Sequence, residues 1–204
     1  MFSGKIEDYI LFEDKEIIVC RKPAGIAVQN ARIGAMDLES SLKNYLAMQD
    51  GGGRRIPYLA VIHRLDQPVE GILVFGKTPE AAKSLSAQIT AGKMEKIYLA
   101  VTYGKQAEAG KKEKVLEDYL KKDGKSNTSS VVNAHTPGAK KARLSYEVLG
   151  EAVDAISGKK KWLLRIHLDT GRHHQIRVQM AHAGMPLGQA AWLCAPQALP
   201  FSIR

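Results

Sequence analysis

The sequence has very little cysteine and no long apolar run. Cys20 and Cys194 are the only two cysteines among 204 residues and lie far apart, so we expect no disulfide framework and a reducing compartment. No stretch approaches the roughly 18 apolar residues of a membrane-spanning helix. The first eight residues also include acids where a secretory signal would be apolar. We therefore expect a cytoplasmic protein with no membrane partner.

The overall composition is that of an ordinary globular protein. Hydrophobic residues make up 45% of the chain and charged residues 25%, which excludes the disordered and fibrous classes. At this length about 70% of the unfolded surface can be buried on folding, so one core is possible without metal or disulfide. We expect a single domain over residues 1–204.

Positive charge is concentrated in the second half of the chain. The net charge is +9, of which +1 falls in residues 1–102 and +8 in residues 103–204. Such a surface attracts polyanions, although a solvated Lys-rich face is the simpler explanation. Residues 105–143 are Lys-rich with little apolar periodicity, and we expect either a mobile basic insertion or a loosely packed hairpin there.

Hydrophobic periodicity and turn residues predict an α+β fold. Helices are expected after the N-cap Asp37, from the N-cap Thr78 to Gly92, and from Thr170 to Gly184. Apolar β-rich runs predict strands, which are residues 16–20, 58–62, 71–75, 97–103, 144–149 and 162–168. Clustered strands with hairpin-like links favour a mixed, mainly antiparallel sheet with flanking helices.

One motif match is misleading. The sequence from Gly71 to Thr78 fits the P-loop pattern GxxxxGK[ST], with a helix behind it. A phosphate cradle needs those middle residues in an open loop, whereas here they are Ile-Leu-Val-Phe and fit the inside of a sheet. Asp169 could act as the accompanying magnesium ligand, but such pairings arise easily by chance. We favour a plain strand followed by a capped helix.

Two polar segments are better candidates for chemistry. His63-Arg64-Leu65-Asp66 ends a predicted strand, where side chains can project into a cleft, although an Asp beside a turn is usually a turn former. Thr170–Arg177 places many polar groups at the start of a predicted helix on which His173 and Arg177 share a face. If that face met Asp66, the guanidinium of Arg177 could hold the carboxylate ionised and oriented.

These segments resemble the RluA-type pseudouridine synthases, and the resemblance covers most of the chain. Four ordered segments carry it: residues 10–26, residues 63–78, residues 96–104 and residues 170–177. The resemblance implies the pseudouridine synthase catalytic fold and isomerisation of uridine in ribosomal or transfer RNA, with no cofactor. Nothing in the sequence demands a partner subunit, so we expect a monomer, and we expect no separate RNA-binding module ahead of residue 10.

The same resemblance implies roles for individual residues. Asp66 matches the nucleophile, since a carboxylate charged at neutral pH can attack the ribose C1′ or the base C6. Arg177 matches the arginine that pairs with that aspartate, Tyr98 the tyrosine that stacks on the flipped base, and Arg64 the arginine that enters the gap left behind. Three further residues are expected to bind the substrate: His63, Ile176 and Arg172.

Each of these residues also has a purely structural interpretation. Tyr98 lies in a β-rich run where an aromatic is more often part of the core, and Arg177 could be a surface residue paired with any acid. Five histidines could suggest a metal site, namely His63, His167, His173, His174 and His182. Because neither Cys-x-x-Cys nor His-Glu-x-x-His occurs, we expect no metal and take His63 as a structural hydrogen bonder.

The chain departs from the family pattern at three places. Val69-Glu70 replaces small polar residues and adds an acid near Asp66, residues 189–192 replace an Asp-containing segment, and residues 200–204 end where a last strand would continue. Two alternatives to the enzyme stay open. One, suggested by the unusual C-terminus, is an inactive RNA-binding protein of the same fold. The other, suggested only by the match over residues 71–78, is a P-loop nucleotide-binding protein.

Overall fold

A computed structural model of the chain describes residues 3–30, 36–51, 56–104, 113–188 and 193–194. Within these ranges no helix has the length and apolar character needed to cross a membrane. The chain divides into two compact units, Met1–Met94 and Glu95–Arg204. Some positions discussed above lie outside the described residues: 105–112, 189–192 and 200–204.

The first unit contains a small antiparallel sheet and two helices. Its elements in chain order are a short 3-10 helix Ile6–Tyr9, β1 Ile10–Glu13, β2 Ile17–Lys22, α1 Leu38–Gln49, β3 Ala60–Val61, β4 Glu70–Gly76 and α2 Pro79–Thr90. Strand β2 pairs with β1 on one side and with β4 on the other, and β3 also pairs with β4. The register places Lys22 opposite Gly71, so the end of β2 lies beside the segment that enters β4.

Both helices of the first unit begin as their sequences predict. The Asp37 side chain accepts a hydrogen bond from Ser40 N, and the Thr78 side chain accepts one from Ala81 N. Helix α2 packs on the sheet through a cluster of buried apolar residues: Ile17, Val19, Val74, Ala81 and Leu85. The apolar residues of β2 and β4 therefore form a core, as expected for a sheet rather than a phosphate loop.

The second unit contains a larger antiparallel sheet and one helix. Its elements are β5 Ile97–Thr102, β6 Lys114–Asp123, β7 Thr128–Val132, β8 Lys140–Val153, β9 Lys160–Leu168, α3 Gln175–His182 and β10 Leu193–Cys194. The strand order is β10-β5-β9-β8-β6-β7. Helix α3 packs on this sheet through Ile176 and Met180. The predicted α+β fold with antiparallel pairing is thus confirmed.

Three local predictions need correction or refinement. The strand expected over residues 58–62 is only Ala60–Val61. The described part of the Lys-rich segment forms the β6–β7 hairpin, the second of the two forms expected there. Helix α3 begins at Gln175 rather than Thr170, because His174 has a left-handed backbone (φ +53°).

That late start also corrects a side-chain prediction. His173 precedes the helix and does not share a helical face with Arg177. The Gln175 side chain accepts hydrogen bonds from Thr170 Oγ1 at 2.8 Å and from Arg172 N at 2.9 Å. These contacts hold residues 170–174 in a loop that the helical period of the sequence does not reveal.

Candidate active site

Asp66 lies on an exposed turn of the first unit. Its carbonyl accepts a hydrogen bond from Val69 N at 3.0 Å, which closes the turn just before β4. Leu65 and Val69 on either side are buried, with 7% and 5% of their surface exposed, whereas the Asp66 side chain is exposed. Two apolar anchors therefore hold the turn while the carboxylate faces outward.

His63 and Arg64 precede this turn and differ in exposure. Val74 N donates a hydrogen bond to His63 Nε2 at 3.3 Å, so His63 links the segment to β4. This contact is the structural role that we expected for the histidine. Arg64 is exposed, as required of a side chain that could reach a substrate. Substrate binding by either residue stays a prediction.

Tyr98 lies on β5 in the second unit. It pairs with Ile166 of β9 and packs partly against the core cluster of this unit, yet remains only half-buried. Tyr98 thus contributes partly to the core, and its stacking on a substrate base stays a prediction.

Ile176 and Arg177 are neighbours on helix α3, but their side chains differ in burial. Ile176 is 6% exposed and belongs to the core cluster, while Arg177 is exposed. Arg177 thus presents its guanidinium to solvent from a helix that is well anchored. Substrate contact by Ile176 stays a prediction, and the structure gives this side chain a packing role.

A continuous hydrogen-bond network holds α3 on the sheet. Gln175 Nε2 donates to Gln179 Oε1 at 2.9 Å, and Gln179 Nε2 donates to Asp118 Oδ2 on β6 at 2.9 Å. His182 Nδ1 lies 2.9 Å from the other oxygen of Asp118. Gln175 and Gln179 are almost fully buried, so the network offsets the desolvation of their amides. It ties the helix that carries Arg177 to the Lys-rich hairpin.

Basic groups cluster around the loop that precedes α3. Arg172 Nε donates to Lys141 O at 2.8 Å, and Arg143 forms an ion pair with Asp169 at 2.6 Å. Burial lowers the pKa of Lys96, with Arg172 acting in the same direction and Asp169 opposing. Glu117 also pairs with Lys141 and Arg143. Because two carboxylates face four cations, namely Lys96, Lys141, Arg143 and Arg172, this region carries net positive charge.

The P-loop interpretation fails on geometry. The sequence from Gly71 to Gly76 lies in β4, and its backbone pairs with β2 instead of facing a ligand. The Lys77 ammonium is occupied by Glu13 Oε1 and Asp14 O, each at 2.6 Å. Asp169, the proposed magnesium ligand, is paired with Arg143.

Two lysines near the candidate residues are buried or half-buried, and the sequence analysis did not predict their burial. Lys22 is fully buried and donates to the backbone carbonyl of Gln67, next to Asp66. Lys96 precedes Tyr98 by two residues and is half-buried. Because lysines are rarely buried, a sequence reading places them on the surface. The residues around Lys22 and Lys96 give no sign that these two side chains are buried.

The antiparallel sheets and flanking helices define an α+β protein, with Asp66 exposed in its first unit and basic groups around the loop before α3 in its second. Comparison with known proteins identifies its family. The model of the RNA pseudouridylate synthase family matches residues 16–182, and the chain belongs to that family.

Individual relatives agree with this assignment. "Ribosomal large subunit pseudouridine synthase D" of Xylella fastidiosa is 32% identical over 185 residues, which cover 87% of this chain and 49% of the relative. The protein of the same name from Pseudomonas aeruginosa is 33% identical over 183 residues, covering 89% and 52%. This chain therefore spans about half the length of these curated relatives.

A solved structure supports the fold. "Human RNA Pseudouridylate Synthase Domain Containing 1" superposes with a TM-score of 0.70 at 20% identity, covering 92% of this chain and 70% of the human one. The expected pseudouridine synthase fold is thereby confirmed.

Proposed function

We propose that this protein isomerises uridine to pseudouridine in RNA, with the Asp66 carboxylate as nucleophile. The observation that carries the proposal is the family match over residues 16–182, which contains every residue predicted for the site. The exposed position of Asp66 on a turn held by two buried neighbours supports it. A nucleophile must be accessible and fixed in place, and this turn provides both conditions.

The reaction needs no external reagent. The bond between uracil N1 and ribose C1′ breaks, the base turns, and a bond forms between C5 and C1′. C5 then loses its proton and N1 gains one, so atoms and charge balance without a redox partner or cofactor. Asp66 would attack either C1′ or C6, and the carboxylate is released when the new bond is complete. The base must leave the stack for this chemistry.

The remaining site residues would act on the flipped nucleotide. The family resemblance assigns Arg177 to pair with the Asp66 carboxylate, and a guanidinium can do so through two parallel hydrogen bonds. Tyr98 would stack on the base with the accessible part of its ring. Arg64 would fill the space that the base vacates.

The second unit would bind the phosphates of the RNA backbone. The β6–β7 hairpin exposes Lys121, Lys122 and Lys125, and His173 Nδ1 lies 2.9 Å from Ser129 Oγ on β7. The hairpin is thus attached to the loop before α3, where Arg172 lies. Cations on a fixed hairpin bind phosphates through counterion release, whatever the base sequence.

The names of the relatives suggest large-subunit ribosomal RNA as the substrate, ahead of transfer RNA. The family acts on RNA, and the net charge of +9 suits such a polyanion. We place the reaction in the cytoplasm and expect the protein to act as a monomer.

The test is tritium release from RNA labelled at uridine C5. The wild type should release tritium from large-subunit ribosomal RNA, while Asp66→Asn should release none and bind the RNA with similar affinity. Asp50→Asn, a change at the exposed end of α1, is the matched control and should remain active. Undiminished release by Asp66→Asn would overturn the assigned nucleophile.

The same assay separates the main alternative. An inactive RNA-binding protein would bind RNA in both the wild-type and the Asp66→Asn forms and release no tritium from either. Transfer RNA transcripts tested in parallel would show whether the substrate class is the one that the relatives suggest.

A further inference from the structure

The turn that joins β8 to β9 presents an apolar side chain to solvent. Ile156 lies in this turn and has 99% of its surface exposed, and Val153 at the end of β8 is 62% exposed. Ile156 is the most exposed of the large hydrophobic residues that the structure describes. Single exposed aliphatic residues are common on protein surfaces, so this exposure has meaning only if the turn is built to present it. Residues 153–160 are called the β8–β9 tip below.

Hydrogen bonds give the tip a fixed shape. Asp154 Oδ1 accepts from Ile156 N at 3.3 Å, from Ser157 N at 2.9 Å and from Ser157 Oγ at 2.9 Å. Asp154 N donates to Lys159 O at 2.8 Å, and Gly158 N donates to Asp154 O at 2.9 Å. The bonds from Ser157 lower the pKa of Asp154 to about 2, so the carboxylate that organises the turn is charged at neutral pH.

A second set of contacts fastens the tip to the body of the unit. Asp154 Oδ2 accepts a hydrogen bond from Tyr103 OH at 3.4 Å and forms an ion pair with Lys161 at 3.5 Å. Tyr103 follows β5, and its backbone N donates to Pro186 O at 2.9 Å. Because the turn is already ordered from inside the unit, a contact made by Ile156 costs little conformational entropy.

Lysines adjoin the apolar point of the tip. Lys159 and Lys160 are exposed, and neither forms an ion pair with any residue that the structure describes. Lys161 is paired with Asp154, and Glu151 is an exposed acid on the same hairpin. An aliphatic side chain beside available cations fits a nucleic acid, in which the apolar faces of the bases lie next to phosphates.

The β8–β9 tip and the β6–β7 hairpin lie at opposite ends of the sheet of the second unit. Strand β8 begins at Lys140, which pairs with Leu120 of β6, and ends at Val153 in the tip. Its 14 residues place the two ends roughly 45 Å apart, at about 3.3 Å per residue. An RNA bound by the β6–β7 hairpin must therefore extend along the sheet to reach the tip.

We propose that the β8–β9 tip is a second RNA contact, in which Ile156 packs against a base while Lys159 and Lys160 bind the flanking phosphates. The choice of RNA as the partner rests on the proposed function. The tip takes no part in the isomerisation itself. Its contact adds affinity for the RNA and leaves the chemical step unchanged, so its effect belongs in KM rather than kcat.

The experiment measures affinity for a single-stranded RNA longer than the sheet, by anisotropy titration at several salt concentrations. Ile156→Ser should weaken binding about 10-fold, the loss expected when an isoleucine is partly buried in a complex. This loss should be the same at every salt concentration, because an apolar contact releases no counterions. Lys159→Gln combined with Lys160→Gln should instead reduce the slope of log affinity against log salt by about 1.4.

Matched controls come from the first unit. Met48→Ser removes a side chain that is 77% exposed at the end of α1, and it should bind RNA as the wild type does. Lys83→Gln combined with Lys93→Gln removes two exposed lysines and should leave the salt slope unaltered. A photoreactive phenylalanine derivative in place of Ile156 should crosslink to the RNA, whereas the same derivative in place of Met48 should not.

Unchanged RNA affinity in Ile156→Ser would overturn the inference, and so would a salt slope that the two lysine changes leave unaltered. Vesicles of phosphatidylcholine and phosphatidylserine test the other anionic partner. If Ile156→Ser abolished vesicle binding and kept its RNA affinity, the tip would be a membrane contact and the inference would be wrong.

Tritium release reports separately on the proposed function. Ile156→Ser should keep the wild-type kcat at saturating RNA, and a large fall in kcat would contradict a role confined to binding. A wild type that binds RNA and releases no tritium would count against the proposed isomerisation. The RNA affinities of Ile156→Ser and its control would still decide whether the tip contacts RNA.

Discussion

The free energy of unfolding should follow an unusual course between pH 8 and pH 12 because of two buried side chains on β2. Burial lowers the pKa of Lys22 from 10.5 to about 8 and raises the pKa of Cys20 from 9.0 to about 12. Both side chains are fully buried. Their protons are therefore bound with different affinity in the folded and unfolded chains, and stability depends on pH wherever the two states differ in protonation.

The two groups have opposite effects. Between pH 8 and 10.5 the unfolded chain keeps the Lys22 proton that the folded chain has lost, so stability rises with pH, by about 3 kcal/mol in total. Between pH 9 and 12 the unfolded chain loses the Cys20 proton that the folded chain keeps, so stability falls, by about 4 kcal/mol in total.

Adding the contributions of Lys22 and Cys20 gives a dependence of the unfolding free energy on pH that has three parts. Stability should rise by about 1 kcal/mol from pH 8 to 9, stay level to pH 10.5 while the two slopes cancel, and then fall by about 2 kcal/mol to pH 12. Burial also lowers the pKa of Lys96 and raises those of Tyr45 and Tyr146. These groups are common to all variants, so differences between variants isolate Lys22 and Cys20.

Urea unfolding followed by far-UV circular dichroism at pH 7.5, 9, 10.5 and 11.5 provides the test. In Cys20→Ala the rise should continue to pH 10.5 and the late fall should shrink. In Lys22→Met the early rise should disappear and the fall should begin at pH 9. The reasoning is refuted if the stability of Lys22→Met rises between pH 7.5 and 9 as that of the wild type does, or if Cys20→Ala keeps the full fall between pH 10.5 and 11.5.

Two further predictions concern the second unit. Gln179→Leu should lower the unfolding free energy by about 1–3 kcal/mol, since Asp118, only 13% exposed, loses a donor; an unchanged urea midpoint would contradict the network. Replacing Lys121 and Lys122 by Gln should reduce the slope of log affinity against log salt by about 1.4 in anisotropy titrations with single-stranded RNA. The control is the same change at exposed Lys83 on α2, which should leave the slope unaltered. Equal slopes for the hairpin variant and the control would contradict RNA binding by the hairpin.

The parts of the fold that local signals determine were predictable. Asp37 and Thr78 are N-caps in front of amphipathic runs, and both helices begin where these caps place them. The run from Gly71 to Phe75 is apolar and short, and it became a buried strand despite its match to a phosphate-loop pattern. In each case the side chains that decide the structure lie within a few residues of it.

The parts that depend on distant contacts were not predictable. The late start of α3 depends on hydrogen bonds between the Gln175 side chain and the loop before the helix. The hydrophobic periodicity of the sequence does not reveal such bonds. The burial of Lys22 depends on carbonyls up to 45 positions away in the chain. Asp66, Tyr98 and Arg177 are predicted as site residues because they match positions of the family pattern, and burial patterns alone would have assigned Tyr98 to the core.

The most direct test of the account is to map pseudouridine at single-nucleotide resolution in large-subunit ribosomal RNA after incubation with the purified protein. Wild-type protein should convert specific uridines, and Asp66→Asn should convert none while still binding the RNA. Conversion of the same uridines by Asp66→Asn, or RNA binding by the wild type without any conversion, would contradict the claim that this carboxylate carries out the isomerisation.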